Sequence, residues 1–579
     1  MFLTKAGALD FCLRGYAIID KKQKIFVLEN KTSLCYTVHK YFIAERNADM
    51  LSDRIYSIRK QYHDSQEKFA EKLGVSEGAV QSWENGTSVP DMEDIVRIAK
   101  TFNVSADWLM GLSDKRSAEE IHSCEVPAPA YHKVGKWSWN SYAPYLMIDF
   151  KQSLSEGKDV EGIREIAIAV SRYKQDETKE ALADVLYKMM HTAPQVSDYA
   201  YNEPNDLQAI RNLRVERASV SQGELPEESV IYKKLKGAWL GRVCGCMLGQ
   251  PIECIGIGDL EKLLRATDNF PMHRYITYED VMHPIAEEIS FPLRTRTYVD
   301  MLKNGFPGDD DTNYTFMASL ILEKYGRDFT SEDVCEAWTR AQTINCYATA
   351  EKVAYRNIVA QYSVPDTAIY KNPFREWIGA QIRGDYFGYI NPGDPEAAAE
   401  MAWRDARISH VKNGIYGEMF IAAMNAAAMV CDDPETVILC GMSQIPSTSR
   451  LYEKLQSVLD FYHSGRDWDA FFKDFQLRYD EWDKHDAVHT VSNAELVAAA
   501  LLWGNGDYSK TICLAVQCGF DTDCNGATAG SIVGMMVGCD GIDRKWTDPI
   551  CDLVNTTVYN RAVPVEEFVC TMMRHMKIN

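Results

Sequence analysis

Residues 519–534 read "GFDTDCNGATAGSIVG". Gly526, Gly530 and Gly534 recur every fourth residue, which on a helix lines them up on one face. A face without side chains lets a second helix come close, backbone to backbone. Gly237, Gly241 and Gly245 repeat that spacing in "KGAWLGRVCGCMLGQPIE", residues 236–253. Close packing accounts for these glycines without any ligand. It does not account for Asp521 and Asp523, two carboxylates one residue apart at the mouth of a run of small, apolar residues. Burying such a pair uncompensated costs several kcal/mol, so either something positive sits between them or the stretch stays wet.

Outward from this stretch, "GDDDTNY", residues 308–314, poses the same problem with three consecutive acids after Pro307, at the start of another apolar helix. One acid at a helix N-terminus is favourable by about 0.3–1 kcal/mol, but three adjacent carboxylates repel and one would suffice. Two acidic clusters, each on a short loop feeding a helix, can converge on hard divalent cations, because Mg2+ and Mn2+ take oxygen ligands in octahedral array. Two dipole-stabilised helix starts remain the plainer alternative at this point. Helix after helix, punctuated by Gly and Pro, fills residues 227–579, and the predicted fold class is all-α.

The chain has 579 residues, 46% of them hydrophobic and 25% charged, a globular composition with a soft prior of three or four domains. A net charge of −21 argues against coating nucleic acid or anionic lipid through bulk electrostatics, so any DNA contact is local. The sixteen cysteines are scattered, without paired zinc knuckles, and Cys244 and Cys246 read as small buried thiols. Asp10 and Arg14 interrupt the N-terminal apolar run, so no signal peptide is expected. The longest charge-free run, Cys524 to Cys539, is shorter than the ~20 residues of a membrane helix. A cytoplasmic protein with no membrane partner is expected.

Residues 1–50 suggest a short extended segment, "YAIID" and "IFVLEN" around a charged turn, and Met50 is an alternative start. Residues 115–226 read as a helical connector without a catalytic constellation. Between them, residues 51–114 form a run of short helices. "RIYSIRKQYHD" carries Ile55, Ile58 and Tyr62 on one stripe, "SQEKFAEKLGV" runs from a Ser cap to Gly74, "SEGAVQSWENG" from Ser76 to Gly86, and "MEDIVRIAKTFNV" follows Pro90. With the later "VSADWLMG", these motifs resemble the lambda-repressor type of helix-turn-helix domain, the xenobiotic-response-element family of bacterial regulators. The resemblance implies a five-helix module whose second motif helix, Ser76 to Glu84, enters the major groove. It sets Gln66, Ser76, Glu77, Gly78, Gln81, Ser82 and Asn85 against phosphates or base edges of operator DNA. Seven basic side chains against ten acidic ones between Leu51 and Leu112 predict a weak counterion-release affinity that relies on a homodimer. The alternative is a retained protein-interaction module.

Four ordered stretches, "KGAWLGRVCGCMLGQPIE", "FPGDDDTNYTFMASLILEKYG", "RGDYFGYINPGDPEAAAEMAWRDARISHVKNGIYGEMFIAAM" and "CGFDTDCNGATAGSIVG", resemble the ADP-ribosylglycohydrolase family. The resemblance implies a large all-helical domain with a binuclear Mg2+ or Mn2+ site that hydrolyses the bond at the anomeric carbon of ADP-ribose. Carried over by position, Asp310 and Asp311 and then Asp521 and Asp523 are metal ligands. Glu253 contacts substrate or water, and His410 borders the pocket. Arg383, Gly384, Asp385 and Tyr386 begin the segment expected to hold the diphosphate, where backbone N–H groups and an Arg suit an anion. Asp309 and Cys524 stand where the family usually has Thr, and Arg242 where it has Asp. A thiol is a poor ligand for a hard cation, so Asp309 is expected to supply the lost oxygen, while Asp309 and Cys524 complete the candidate metal set.

The resulting expectation is a metal-dependent glycohydrolase acting on an ADP-ribosylated or simpler ribosyl substrate, fused to a DNA-reading module. A carboxylate among Glu253, Asp309 and Asp310 takes the proton of a water that attacks through an oxocarbenium-like state. The alternative is a transcriptional regulator whose glycohydrolase-like half senses a nucleotide-sugar without turnover. Intact Asp310, Asp311, Asp521 and Asp523 favour the enzyme; Arg242 and Cys524 favour the sensor.

Overall fold

The computed structural model describes residues 51–110, 141–220 and 225–577. The chain divides into two compact units, Met1–Ala130 and Tyr131–Asn579. The extended pair expected within residues 1–50 lies outside the described residues.

Among the described residues of the first unit stand five short helices: α1 (residues 51–61), α2 (Gln66–Leu73), α3 (Glu77–Glu84), α4 (Met92–Thr101) and α5 (Ala106–Leu109). Serine hydroxyls start three of them, Ser65 accepting from the Lys68 N–H and Ser76 from the Ala79 N–H, each at 3.2 Å, and Ser105 from the Trp108 N–H at 3.3 Å. Gly74 ends α2 at φ 66°, a left-handed position that suits glycine. Ile55, Ile58, Phe69, Val80, Trp83, Ile98 and Phe102 make the core. Tyr62, the third member of the expected stripe, stands outside it, 46% exposed.

In the second unit, α6 (Leu146–Ser155), α7 (Arg164–Ser171) and α8 (Glu177–Thr192) share a small core around Leu146, Phe150, Ala167 and Leu186. Buried polar contacts fasten them to the rest of the unit. Arg375 donates to Asp149 and to Glu156, both at 2.6 Å, and the Gln152 amide donates to Glu376 at 2.5 Å.

The body of this unit is assembled from long helices, among them α9 (Glu228–Gly249), α10 (Asp310–Tyr325), α11 (Asn413–Ala428), α12 (Thr490–Gly504), α13 (Tyr508–Gln517) and α14 (Thr522–Val537). The two glycine runs meet each other: Gly237 faces Gly534, Gly241 faces Gly530 and Gly245 faces Gly526, so α9 and α14 run antiparallel. A Cβ on any of the six would overlap the facing carbonyl oxygen. This register brings the last turn of α9 against the first turn of α14, with Gly249 opposite Thr522, and so carries Cys246 and Glu253 to the end where the acids begin.

Among the described residues one hairpin departs from the helical pattern, β1 (Leu553–Thr556) paired antiparallel with β2 (Arg561–Pro564). Phe306 bridges β1, its N–H donating to Leu553 O at 2.8 Å and its carbonyl accepting from the Asn555 N–H at 3.0 Å. The Thr556 hydroxyl then donates to Asn313 Oδ1 at 2.7 Å, so the hairpin pins both sides of the acidic loop that opens α10. Among the described residues no helix is long and apolar enough to cross a membrane.

Candidate functional site

The acidic loops are shaped by helix starts. Asp309 caps α10, accepting from the Asp311 N–H at 3.2 Å while its own N–H donates to the Thr312 hydroxyl at 3.2 Å. Asp521 stands at the corresponding place before α14 but makes no side-chain cap hydrogen bond, leaving its carboxylate for other work. The Thr522 hydroxyl ties the junction by donating to Gly249 O at 2.9 Å. Two non-glycine residues beside the acids hold left-handed backbone, Phe520 at φ 63° and Cys254 at φ 67°. Each such residue costs about 1–3 kcal/mol, and such strain clusters at ligand sites.

Asp309, Asp311 and Cys246 offer ligand atoms within 4.8 Å of one another, and so do Asp311, Asp523 and Cys524. Asp311 belongs to both trios. Asp311, Asp521 and Asp523 form a buried floor, below the half-exposed Glu253, Asp309 and Asp310. Burial raises the carboxyls of Asp310, Asp311 and Asp523 well above the usual carboxylate range, raises Asp521, and pushes Glu253 up to about 7; the charge of Asp309 adds to each.

Two cations face this group. Fully buried Arg242 donates to the Asp311 carbonyl at 2.7 Å, to Asp311 Oδ1 at 3.2 Å, to Asp385 Oδ2 at 2.8 Å and to Ile382 O at 2.6 Å. Arg296 stands 4.0 Å from Glu253. Neither answers Asp523, whose Oδ1 is buried with no hydrogen-bond partner. A buried, unpaired carboxylate oxygen among other carboxylates is what a divalent cation satisfies, so the residues present fit a metal.

The positions expected to hold a diphosphate are occupied otherwise. Arg383 is 2% exposed and spends its donors on Asp405 at 2.5 Å, Glu351 at 2.7 Å and Ser409 at 2.9 Å, with Glu418 3.3 Å away. Asp385 is held by Arg242 and Asn425, the Tyr386 hydroxyl meets His575 Nδ1 at 2.6 Å, and the Gly384 Cα packs on the α11 backbone. Arg383, Gly384, Asp385 and Tyr386 therefore brace the interior, the guanidinium being engaged by Asp405 and Glu351. His410 is also buried; its Nδ1 lies 2.8 Å from the Ser409 hydroxyl, Nε2 has no partner, and burial keeps the ring neutral.

Two contributors escape sequence reading. Cys246 lies with its Sγ 3.8 Å from Asp311 Oδ2, and Gln250 donates to Asp309 Oδ2 at 2.5 Å. The signal was in the glycine registers: pairing Gly245 with Gly526 sets the next residues of α9 beside the acids.

In the first unit, Ser76, Glu77, Gly78, Gln81 and Asn85 lie exposed along α3 and its ends, and Ser82 is half-buried. Nothing stands within 4 Å of a Cβ built on Gly78, so another backbone has room to approach. The Gln66 amide donates to Glu84 at 2.7 Å, and Arg59 grips the same carboxylate at 2.6 and 2.8 Å, fixing α1, α2 and α3 together.

Comparison with known proteins follows this division. The sequence pattern of the ADP-ribosylglycohydrolase family matches residues 227–568, more than half of the chain, and a helix-turn-helix pattern matches residues 55–109. The uncharacterized HTH-type transcriptional regulator YobD of Bacillus subtilis is 29% identical over 65 residues, 11% of this chain and 58% of that protein. The cryptic phage CTXphi transcriptional repressor RstR of Vibrio cholerae is 31% identical over 61 residues, 10% of this chain and 54% of that protein. The chain thus spans little more than half the length of these curated relatives. A solved ADP-ribosylglycohydrolase-related protein complex aligns at 17% identity and a TM-score of 0.38, covering 60% of this chain and 98% of that one.

Proposed function

From the premise that the chain belongs to the ADP-ribosylglycohydrolase family, with a helix-turn-helix module ahead of that domain, we propose that it is a metal-dependent glycohydrolase cleaving the anomeric bond of an ADP-ribosyl or related ribosyl substrate. The observation that carries this reading is the partnerless Asp523 oxygen at the meeting point of two acidic loops distant in the chain. Asp309, Asp310, Asp311, Asp521 and Asp523 would hold the divalent ions, two of them and of the Mg2+ or Mn2+ kind. When bound, such ions supply charge stabilisation at the sugar hydroxyls. Glu253, half-exposed at the rim and held near pH 7, takes the proton of the attacking water. The ring of carboxylates around it favours the positive charge that develops on the sugar.

The first unit, in this account, reads operator DNA as a homodimer through Gln81, Ser82 and neighbouring positions of α3, and the protein works in the cytoplasm. Arg242 favours a second reading. A guanidinium bound to Asp311 already offsets part of the charge a metal would answer, as a sensor that holds a nucleotide-sugar without cleaving it would allow. Incubating the protein and Mn2+ with ADP-ribosylated peptides, ADP-ribosylated DNA and free ribosides, and following sugar release by mass, separates the two. The enzyme reading expects release that disappears in Asp310→Asn together with metal binding. Ligand retention without release supports the sensor.

A further inference from the structure

The two thiols beside the acids, Cys246 and Cys524, take no part in the proposed hydrolysis. Cys246 lies with Asp309 and Asp311, and Cys524 with Asp311 and Asp523, each trio keeping its ligand atoms within 4.8 Å. Both thiols are buried. Asp523, which carries the oxygen without a partner, belongs to the Cys524 trio. A site shaped for Mg2+ gains nothing from sulfur, since that ion takes oxygen ligands and sheds water reluctantly. Thiolates favour softer ions, and affinity for mixed donor sets climbs along the first transition row.

We propose that this site takes a softer first-row ion, Fe2+, Co2+ or Zn2+, in preference to Mg2+ or Mn2+, with the thiolates of Cys246 and Cys524 as ligands beside Asp311. The carboxylate–metal reading of the previous section is its premise; what is added is the class of ion and the sulfur donors. On ligation each S–H bond is replaced by a sulfur–metal bond and the proton passes to water, with no change of oxidation state.

The test uses the full chain, stripped of metal and dialysed against equimolar Mg2+, Mn2+, Co2+ and Zn2+, with bound ions counted by elemental mass spectrometry. The Co2+ form is followed in the near ultraviolet, where thiolate-to-cobalt charge transfer absorbs. Co2+ and Zn2+ are expected to exceed Mg2+ and Mn2+ by roughly tenfold or more, with a charge-transfer band in the Co2+ form. In the C246S/C524S double variant the band disappears and the excess over Mg2+ collapses. Exposed Cys254, Cys551 and Cys570 remain in that variant, so a band that survives there comes from them and overturns the proposal. Equal retention of Mg2+ and Co2+, or cobalt bound without the band, overturns it too while leaving the carboxylate site standing. Failure to retain any divalent ion sinks both. Should the double variant not fold, the single variants C246S and C524S are read in its place: each is expected to weaken the band, and a band undiminished in both overturns the proposal.

Discussion

Two groups of buried carboxylates in the second unit differ in their surroundings. Where α6 docks, Asp149 and Glu156 each receive Arg375 at 2.6 Å, and Glu376 and Glu203 receive Arg450 at 2.7 and 2.8 Å. Burial alone would raise Glu156 and Glu376, yet Arg375 and Arg450 bring both below the usual range. At the junction of α9, α10 and α14 the acids outnumber their cations, and burial leaves Asp310, Asp311 and Asp523 raised instead. In the first group the carboxylates are answered within the chain and fasten the scaffold; in the second they are left for something from outside.

The sharpest way to break this contrast is Asp311→Asn. It removes the carboxylate common to both trios and should lower sugar release by at least about a thousandfold, with loss of Mn2+ binding by calorimetry and an intact circular dichroism spectrum. Next is Arg375→Met, which strands Asp149 and Glu156. It should cost about 3–5 kcal/mol in urea unfolding and leave Mn2+ affinity unchanged. Equal damage to metal binding by both substitutions would erase the distinction between the two regions.

Gly241→Val drives side-chain atoms into the Gly530 carbonyl and should cost about 1–3 kcal/mol or more, because backbone on a packed helix cannot step aside. The smallest effect is on pH. Glu253 is raised from 4.5 to about 7, so in metal-free protein its contribution to stability is fully present below pH 4.5 and is lost as pH rises through about 7. Asp310, Asp311 and Asp523 shift in the same direction. Divalent ions should reverse this, the melting shift caused by Mn2+ growing with pH at about 1.4 kcal/mol for each tenfold gain in affinity.

Much of this was legible in the chain. Four-residue glycine spacing announces a close helix pair, since only missing Cβ atoms permit it, and Asp309–Asp311 and Asp521–Asp523 stand out as more acid than two helix starts need. Arg383 was not legible. Sequence shows a guanidinium near glycine but not that Asp405, Glu351 and Glu418, from three other segments, converge on it. The hairpin at Leu553–Pro564 went unread because four-residue strands carry too little alternation, and its role, holding Phe306, depends on a partner some 250 positions away. Cys246 read as core because a thiol in a small-residue helix usually is; only the register with α14 turns it toward the acids.

The central claim is that acids from Asp309–Asp311 and Asp521–Asp523 share a divalent cation. Anomalous diffraction at the manganese edge, on crystals grown with Mn2+, tests it most directly. The account predicts a peak touching Asp311 and Asp523 together. A map in which manganese avoids both, or those side chains turn to partners of their own, would contradict it.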